Sequence, residues 1–178
     1  RCGQYVARKW RFGALLMTVG ILCRLIYGFI LDAALAPTPG TECTSAQLQY
    51  LDTYKRFISS GCFLNFGQPP APRISVVLYA RDRVEDTYLT LRSLKFQNAS
   101  LPFELILLDD ASRDATRELT SHIKGARTVR FETPRHFATA VNHAIISLSA
   151  SSAEFAWILS NDAFLANEQA LTSLWAVL

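Results

Sequence analysis

Between Phe103 and Ser112 the chain reads FELILLDDAS, and no other stretch constrains its fold as tightly. Phe103, Leu105, Ile106, Leu107 and Leu108 surround a single glutamate and then give way to the adjacent carboxylates of Asp109 and Asp110. Such a run is the pattern of a strand buried on both faces of a parallel sheet. The acids that end it fall at the sheet edge, where α/β folds bind ligands. A parallel sheet needs partner strands and crossover helices, and the flanking sequence supplies both.

From Arg73 onward, strand and helix patterns alternate. ISVVLYA (Ile74 to Ala80) reads as a buried strand rich in β-branched residues, and Val84 to Gln97 as a helix packing through Leu89, Leu91, Leu94 and Phe96. After FELILLDD, Ser112 or Asp114 caps a helix running to about Ile123. Arg127 to Glu132 forms a third strand, Phe137 to Leu148 a helix, and Glu154 to Ser160 a fourth strand that runs into Asn161 and Asp162. One more helix spans Glu168 to Leu178. The order predicts a three-layer α/β/α fold with a mostly parallel sheet and right-handed crossovers.

At 178 residues and 50% hydrophobic, the chain can bury one ordinary core. Its net charge of +3 is scattered, with no basic run or aromatic ladder, which argues against nucleic acid as a partner. Phe12 to Leu31 is almost continuously apolar, long enough at about 1.5 Å per residue to approach a hydrocarbon thickness of roughly 30 Å. Arg24 interrupts it at a cost of about 2.5 to 3.5 kcal/mol, so a tilted span and an interfacial helix both stay open. Residues 1–36 are thus expected to be an apolar membrane-associated helix, with the basic cluster Arg1, Arg8, Lys9 and Arg11 on the cytoplasmic side. Residues 37–72, bounded by the breaks APTPG and QPPAP, read as a linker carrying one amphipathic helix, Ser45 to Ile58, capped by Thr44 or Ser45. Cys2, Cys23, Cys43 and Cys62 form no CxxC pair or Cys/His cluster. Cys43 and Cys62 would bridge in an oxidising compartment, and reduced, partly buried thiols are the default expectation.

Parallel strands put their carboxyl ends on one side, so Asp82, Asp109, Asp110 and Asp162 would converge on one crevice. Convergent acids suit a hard divalent cation bridging a diphosphate, or hydrogen bonds to a base or ribose. Capping of the next helix is the structural alternative, and it is preferred for Asp114. No GxxxxGK[ST] or GxGxxG sequence occurs, which counts against nucleotide hydrolases and dinucleotide oxidoreductases.

Taken together, PRISVVLYARDR (Pro72 to Arg83), FELILLDDASRDAT (Phe103 to Thr116), RHFATAVNHAI (Arg135 to Ile145) and FAWILSNDAFL (Phe155 to Leu165) resemble the successive blocks of family 2 glycosyltransferases of GT-A fold. The likeness implies that residues 73–178 are the donor-binding part of such a domain, incomplete at its C-terminal side. It implies nucleotide contacts from Tyr79, Arg81 and Asp82 in the first loop, where the family's proline and tyrosine are absent. It implies base recognition by Asp110 beside Asp109, with Ala111 replacing the family's glycine. The metal-binding DxD block is matched by Ser160, Asn161 and Asp162, similar to the NND variant of rhamnosyltransferase-like members. Asp162 is then the residue expected to reach Mn²⁺ or Mg²⁺, with Asn142, Ser160 and Asn161 as donor-site neighbours. Asn142 could equally be a structural helix residue, and His136 and His143 read as ordinary packing or surface histidines.

The implied activity is inverting transfer of a sugar from a nucleoside-diphosphate donor to a glycan, lipid or cell-surface polysaccharide acceptor. In the family, the catalytic base and the acceptor pocket follow the DxD block, so the base is expected beyond Leu178 and this chain alone is expected to be inactive. Membrane association at the cytoplasmic face is favoured. A signal anchor in the secretory pathway is the other possibility, with Asn98, Ala99 and Ser100 as an acceptor sequon. The competing reading is a non-catalytic membrane-associated module with a degenerate transferase fold.

Overall fold

The computed structural model describes Ile30 and residues 35–97, 101–148 and 151–177. The apolar run Phe12 to Leu31, apart from Ile30, and the sequon at Asn98 lie outside the described residues. Among the described residues no helix is long and apolar enough to cross a membrane. The chain divides into two compact units, Arg1–Ala36 and Pro37–Leu178, and the description below concerns the second.

Four parallel strands form its sheet: β2 (Ile74–Ala80), β3 (Phe103–Asp109), β5 (Ala126–Arg130) and β6 (Phe155–Ser160), in the order β5-β3-β2-β6. β2 is central. It pairs with β3 from Ile74 opposite Phe103 to Ala80 opposite Asp109, and with β6 from Ile74 opposite Phe155 to Tyr79 opposite Ser160. The helices between them are α3 (Val84–Lys95), α4 (Thr116–Ser121) and α5 (His136–Ser147), and α6 (Ala170–Trp175) follows β6. Strand alternation divides the apolar side chains between two faces. Val76, Leu78, Leu105, Leu107 and Leu159 share one core with Tyr88, Leu91 and Leu94 of α3. Val77, Ile106 and Leu108 share the other with Ala140, Val141 and Ala144 of α5. The result is the expected α/β/α sandwich.

The segment before the sheet differs from its expected form. Instead of one helix from Ser45 to Ile58 there are two, α1 (Ser45–Tyr50) and α2 (Tyr54–Ser60). Each has its own threonine cap: Thr44 forms a capping box with Gln47, and Thr53 accepts from the Arg56 N–H. The break also lets the Leu51 carbonyl accept the buried Tyr88 hydroxyl from α3. Leu48, Leu51 and Phe57 are buried in the sheet's first core, with the Phe57 ring stacked 4.9 Å from Tyr88. The segment thus packs against the domain that follows it, as an amphipathic helix there would, but as two helices rather than one.

Two short strands also went unforeseen. β1 (Leu64–Asn65) pairs in parallel with β4 (Ile123–Lys124). Just upstream, a bridge between Glu42 and Phe63, with the Cys43 N–H donating to the Phe63 carbonyl at 2.9 Å, holds two chain segments side by side. That register brings the Cα atoms of Cys43 and Cys62 to 5.4 Å, and the two residues form a disulfide. The default of reduced thiols is corrected accordingly. By loop-closure arguments a crosslink of this span contributes about 3 kcal/mol.

Candidate functional site

All four strands of the sheet end on the same side, and three of their ends carry sequence-predicted residues. The strands after β2 are laid down outward in one direction through β3 to β5, and β6 then returns to the opposite flank of β2. The order reverses there, which makes the crevice outside β2 and β6 the position where such sheets take ligands.

Backbone strain is concentrated on this edge. Asp82, Arg83, Ala111 and His136 all have positive φ, between 56° and 63°, although none is glycine. A side chain in the left-handed region costs roughly 1 to 2 kcal/mol, and such outliers cluster at functional loops. Ala111 stands where glycine would remove the cost. Asp82 and Arg83 are consecutive, so the β2–α3 loop turns sharply on two strained residues.

The two carboxylates at the end of β3, Asp109 as its last residue and Asp110 just after it, are fully buried and engaged within the chain. Asp109 accepts the Ser112 N–H on Oδ1 at 2.9 Å and pairs through Oδ2 with Arg130, its register partner on β5. Arg130 also donates to the Ser112 carbonyl at 2.9 Å, so the pair clamps the turn after β3 onto β5. Asp110 accepts three hydrogen bonds: from the Tyr79 hydroxyl at 2.8 Å, the Arg135 N–H at 2.5 Å and the His136 N–H at 2.9 Å. Burial alone would push its carboxyl up. The two backbone N–H groups, the Tyr79 hydroxyl and the nearby Arg81 charge outweigh burial and hold it below the ordinary carboxylate value. Tyr79 is pushed up to about 12, first by burial and then by its bond to Asp110. The Phe137 ring sits edge-on to Tyr79 at 5.2 Å. Asp110 thus ties the end of β3 to β2 and to the start of α5.

Asp82 is half-buried. Its backbone N–H donates to Ser112 Oγ at 2.9 Å, and its Oδ1 accepts the Arg113 N–H at 2.7 Å. Arg81 is exposed, 3.4 Å from the His136 ring. Asn161 is 6% exposed and turned inward: its side-chain amide donates to the Asp82 carbonyl and to Thr87 Oγ1, and its backbone carbonyl accepts from Thr90 Oγ1. It latches the end of β6 onto α3. Ser160 and Asn142 are exposed. Asp114 accepts from the Thr116 N–H at the start of α4 and, at 2.7 Å, from the Val84 N–H that opens α3, so it serves the first N–H of both helices, while the N-cap position of α4 itself is Ala115 and not Ser112 or Asp114.

Asp162 is the one acid of the group that reaches solvent with a carboxylate oxygen on another element's charge. Its Oδ2 lies 3.0 Å from Arg83 Nη1, and Arg83 Nε lies 2.7 Å from Asp86. A hydrogen bond from Ser160 is the largest influence holding the Asp162 carboxyl below its ordinary value; desolvation opposes it, and the Arg83 guanidinium adds to the lowering. For the divalent cation implied by the DxD-like block, these residues do not fit as they stand. A hard cation takes several oxygen ligands and anionic charge. Here the block offers one carboxylate already facing a guanidinium, a neutral hydroxyl, and an amide used internally. Among the described residues no group of three His, Cys, Asp or Glu side chains is gathered for a metal.

Arg83, Ser112 and Arg130 were not anticipated as site residues. Arg130 was legible in principle, since a strand ending in arginine beside one ending in two aspartates invites an ion pair. Arg83 was not, because its partner is 79 residues away and depends on the unusual loop conformation.

No curated protein matches the chain. Among solved structures it is similar to a mannosyltransferase of Pyrobaculum calidifontis in complex with GDP-Man and Mn²⁺, at 20% identity and TM-score 0.48, over 59% of this chain and 32% of that one. It is also similar to S. aureus TarS in complex with UDP-GlcNAc, at 23% identity and TM-score 0.46, over 58% of this chain and 30% of that one. The chain thus spans about a third of the length of these structures. The family model described as glycosyl transferase family 2 matches residues 75–178, from the second residue of β2 through α6 to the last residue. On that match, the chain belongs to glycosyl transferase family 2.

Proposed function

We propose that this chain is the donor-binding part of a glycosyltransferase. It binds a nucleoside-diphosphate sugar at the carboxyl edge of its sheet, and the sugar passes with inversion to a glycan or lipid-linked acceptor. The observation that carries this reading is the reversal of strand order at β2 and β6, with strained loops from three strands converging on that edge. Arg81 and Asp82 would meet the nucleotide at the surface. Asp110 would act on the base only if Tyr79 or the α5 N–H groups released it, and otherwise shapes the floor of the site.

Calorimetry of the chain with UDP-, GDP- and dTDP-sugars tests this reading, and saturable binding of at least one class is expected. Absence of binding by all three would favour a second reading, a non-catalytic membrane-associated module. That reading is supported by the internal engagement of Asp109, Asp110 and Asn161. Polysaccharide biosynthesis at a membrane surface belongs to the proposal. The Cys43–Cys62 disulfide supports an oxidising compartment, such as the secretory-pathway lumen, over the cytoplasmic face expected from the basic cluster. Mn²⁺ or Mg²⁺ held at Asp162 is the alternative source of positive charge for the donor's diphosphate.

A further inference from the structure

The misfit between the DxD-like block and a divalent cation points to a different source of positive charge. We propose that Arg83 takes the diphosphate of the donor directly, so that nucleotide binding by this chain does not depend on a metal ion. The inference rests on the donor-site reading above and specifies how that site handles charge.

Arg83 follows β2 by three residues and ends a loop held in the left-handed region at both Asp82 and Arg83. That strained turn aims the side chain across the crevice toward the end of β6, where Nη1 reaches Asp162 at 3.0 Å. Nε is meanwhile anchored by Asp86, on the first turn of α3, at 2.7 Å. A guanidinium carries five donors in a rigid fork, and these two contacts leave the rest of the fork to a ligand. Its side chain is 58% exposed. The same edge of the sheet also presents the exposed residues Arg81, Arg113 and Arg135 and the exposed Asp114, while the acids Asp109 and Asp110 are buried.

In this arrangement Asp162 holds Arg83 in place until the ligand arrives. A diphosphate brings more negative charge and a bidentate geometry, and it exchanges for Asp162 on Nη1 while Asp86 keeps the guanidinium oriented. Planar, charge-assisted pairing with phosphate oxygens is what arginine supplies in general. No bond is made or broken in the exchange; one anionic partner of Arg83 replaces another.

The test is calorimetry of the full chain with UDP and GDP, in EDTA and in Mn²⁺, on the parent and two variants. Binding in EDTA within about twofold of that in Mn²⁺ is expected, and Arg83→Met should weaken it roughly tenfold or more. Asp162→Asn gives the sharper contrast, because it frees Arg83 and should tighten binding in EDTA, whereas a metal at Asp162 would make the same variant lose binding. Circular dichroism confirms that each variant is folded, and the Asp162→Asn arm stands even if Arg83→Met is not. Binding seen only with Mn²⁺ and lost in Asp162→Asn overturns this inference and leaves the donor-site reading intact. No nucleotide binding under any condition overturns both.

Discussion

At the scale of single residues, Asp110 shows how a side chain recognisable by its neighbours can have a different immediate task. Its carboxylate is the shared acceptor for Tyr79, Arg135 and His136, three groups from β2 and the approach to α5. Because its folded-state value lies below the ordinary 3.8, the ionised form stabilises the fold. That stability is fully present above the ordinary value and is lost as pH falls through the lower folded one. Acid unfolding followed by tyrosine fluorescence should therefore weaken the chain below about pH 4, and Asp110→Asn should remove part of that pH dependence. The same variant should cost roughly 2 to 3 kcal/mol at neutral pH, since an amide cannot accept from all three donors. A pH profile identical to the parent's would show that Asp110 is not ionised in the fold.

At the scale of elements, β2, β3 and β6 were legible because each is a short, predominantly apolar run, and β5, reading ARTVR, was legible from its place in the strand–helix alternation. Ile74 to Ala80 was expected and is observed with the same bounds, and β3 differs only in ending at Asp109. What could not be read are elements made by pairing across distance. β1 and β4 are two residues each, too short for any periodicity, and exist because Leu64 meets Ile123. The α1–α2 break was hidden for a related reason: Leu48, Leu51 and Ile58 keep helical spacing, but a second threonine cap and the Tyr88 hydroxyl favour two helices. The site was legible to the level of which loops converge. Which acids would be used internally was not, since that depends on loop conformations at Asp82, Arg83 and Ala111 that residue identity disfavours. The close approach beside β4 yields a direct prediction. A Cβ on Gly125 would lie 2.4 Å from the Gly67 nitrogen, and Gly125 has φ +69°. Gly125→Ala should lower stability by roughly 2 kcal/mol or more in urea denaturation, with separation of β1 from β4. An unchanged midpoint would mean that the two glycines are not in contact.

At the scale of the whole molecule, the disulfide joins the two ends of the α1–α2 segment ahead of β2, closing the loop whose Leu48, Leu51 and Phe57 pack into the sheet's first core. Reduction, or Cys43→Ser with Cys62→Ser, should lower the stability of the chain by roughly 2 to 4 kcal/mol, read as a shift in the denaturation midpoint between oxidised and reduced samples. No shift would mean that the thiols are unpaired in solution, and would return the cytoplasmic face to first place.

The central position of β2 also sets the order in which the domain can assemble. The first long strand of the sheet to be synthesised becomes its middle, flanked by β3 and by the last strand, β6, whose neighbour Glu154 bonds Arg73 across 81 residues. Until that long loop closes, a growing chain carries one flank of β2 with its peptide groups unpaired. Closure over such a separation is slow relative to the local helices. An arrested chain lacking β6 would expose Val76, Val77 and Leu78 along a bare strand edge, a template for pairing with other chains. Both walls of the proposed donor crevice, β2 and β6, therefore exist only after the longest-range contact in the sheet has formed.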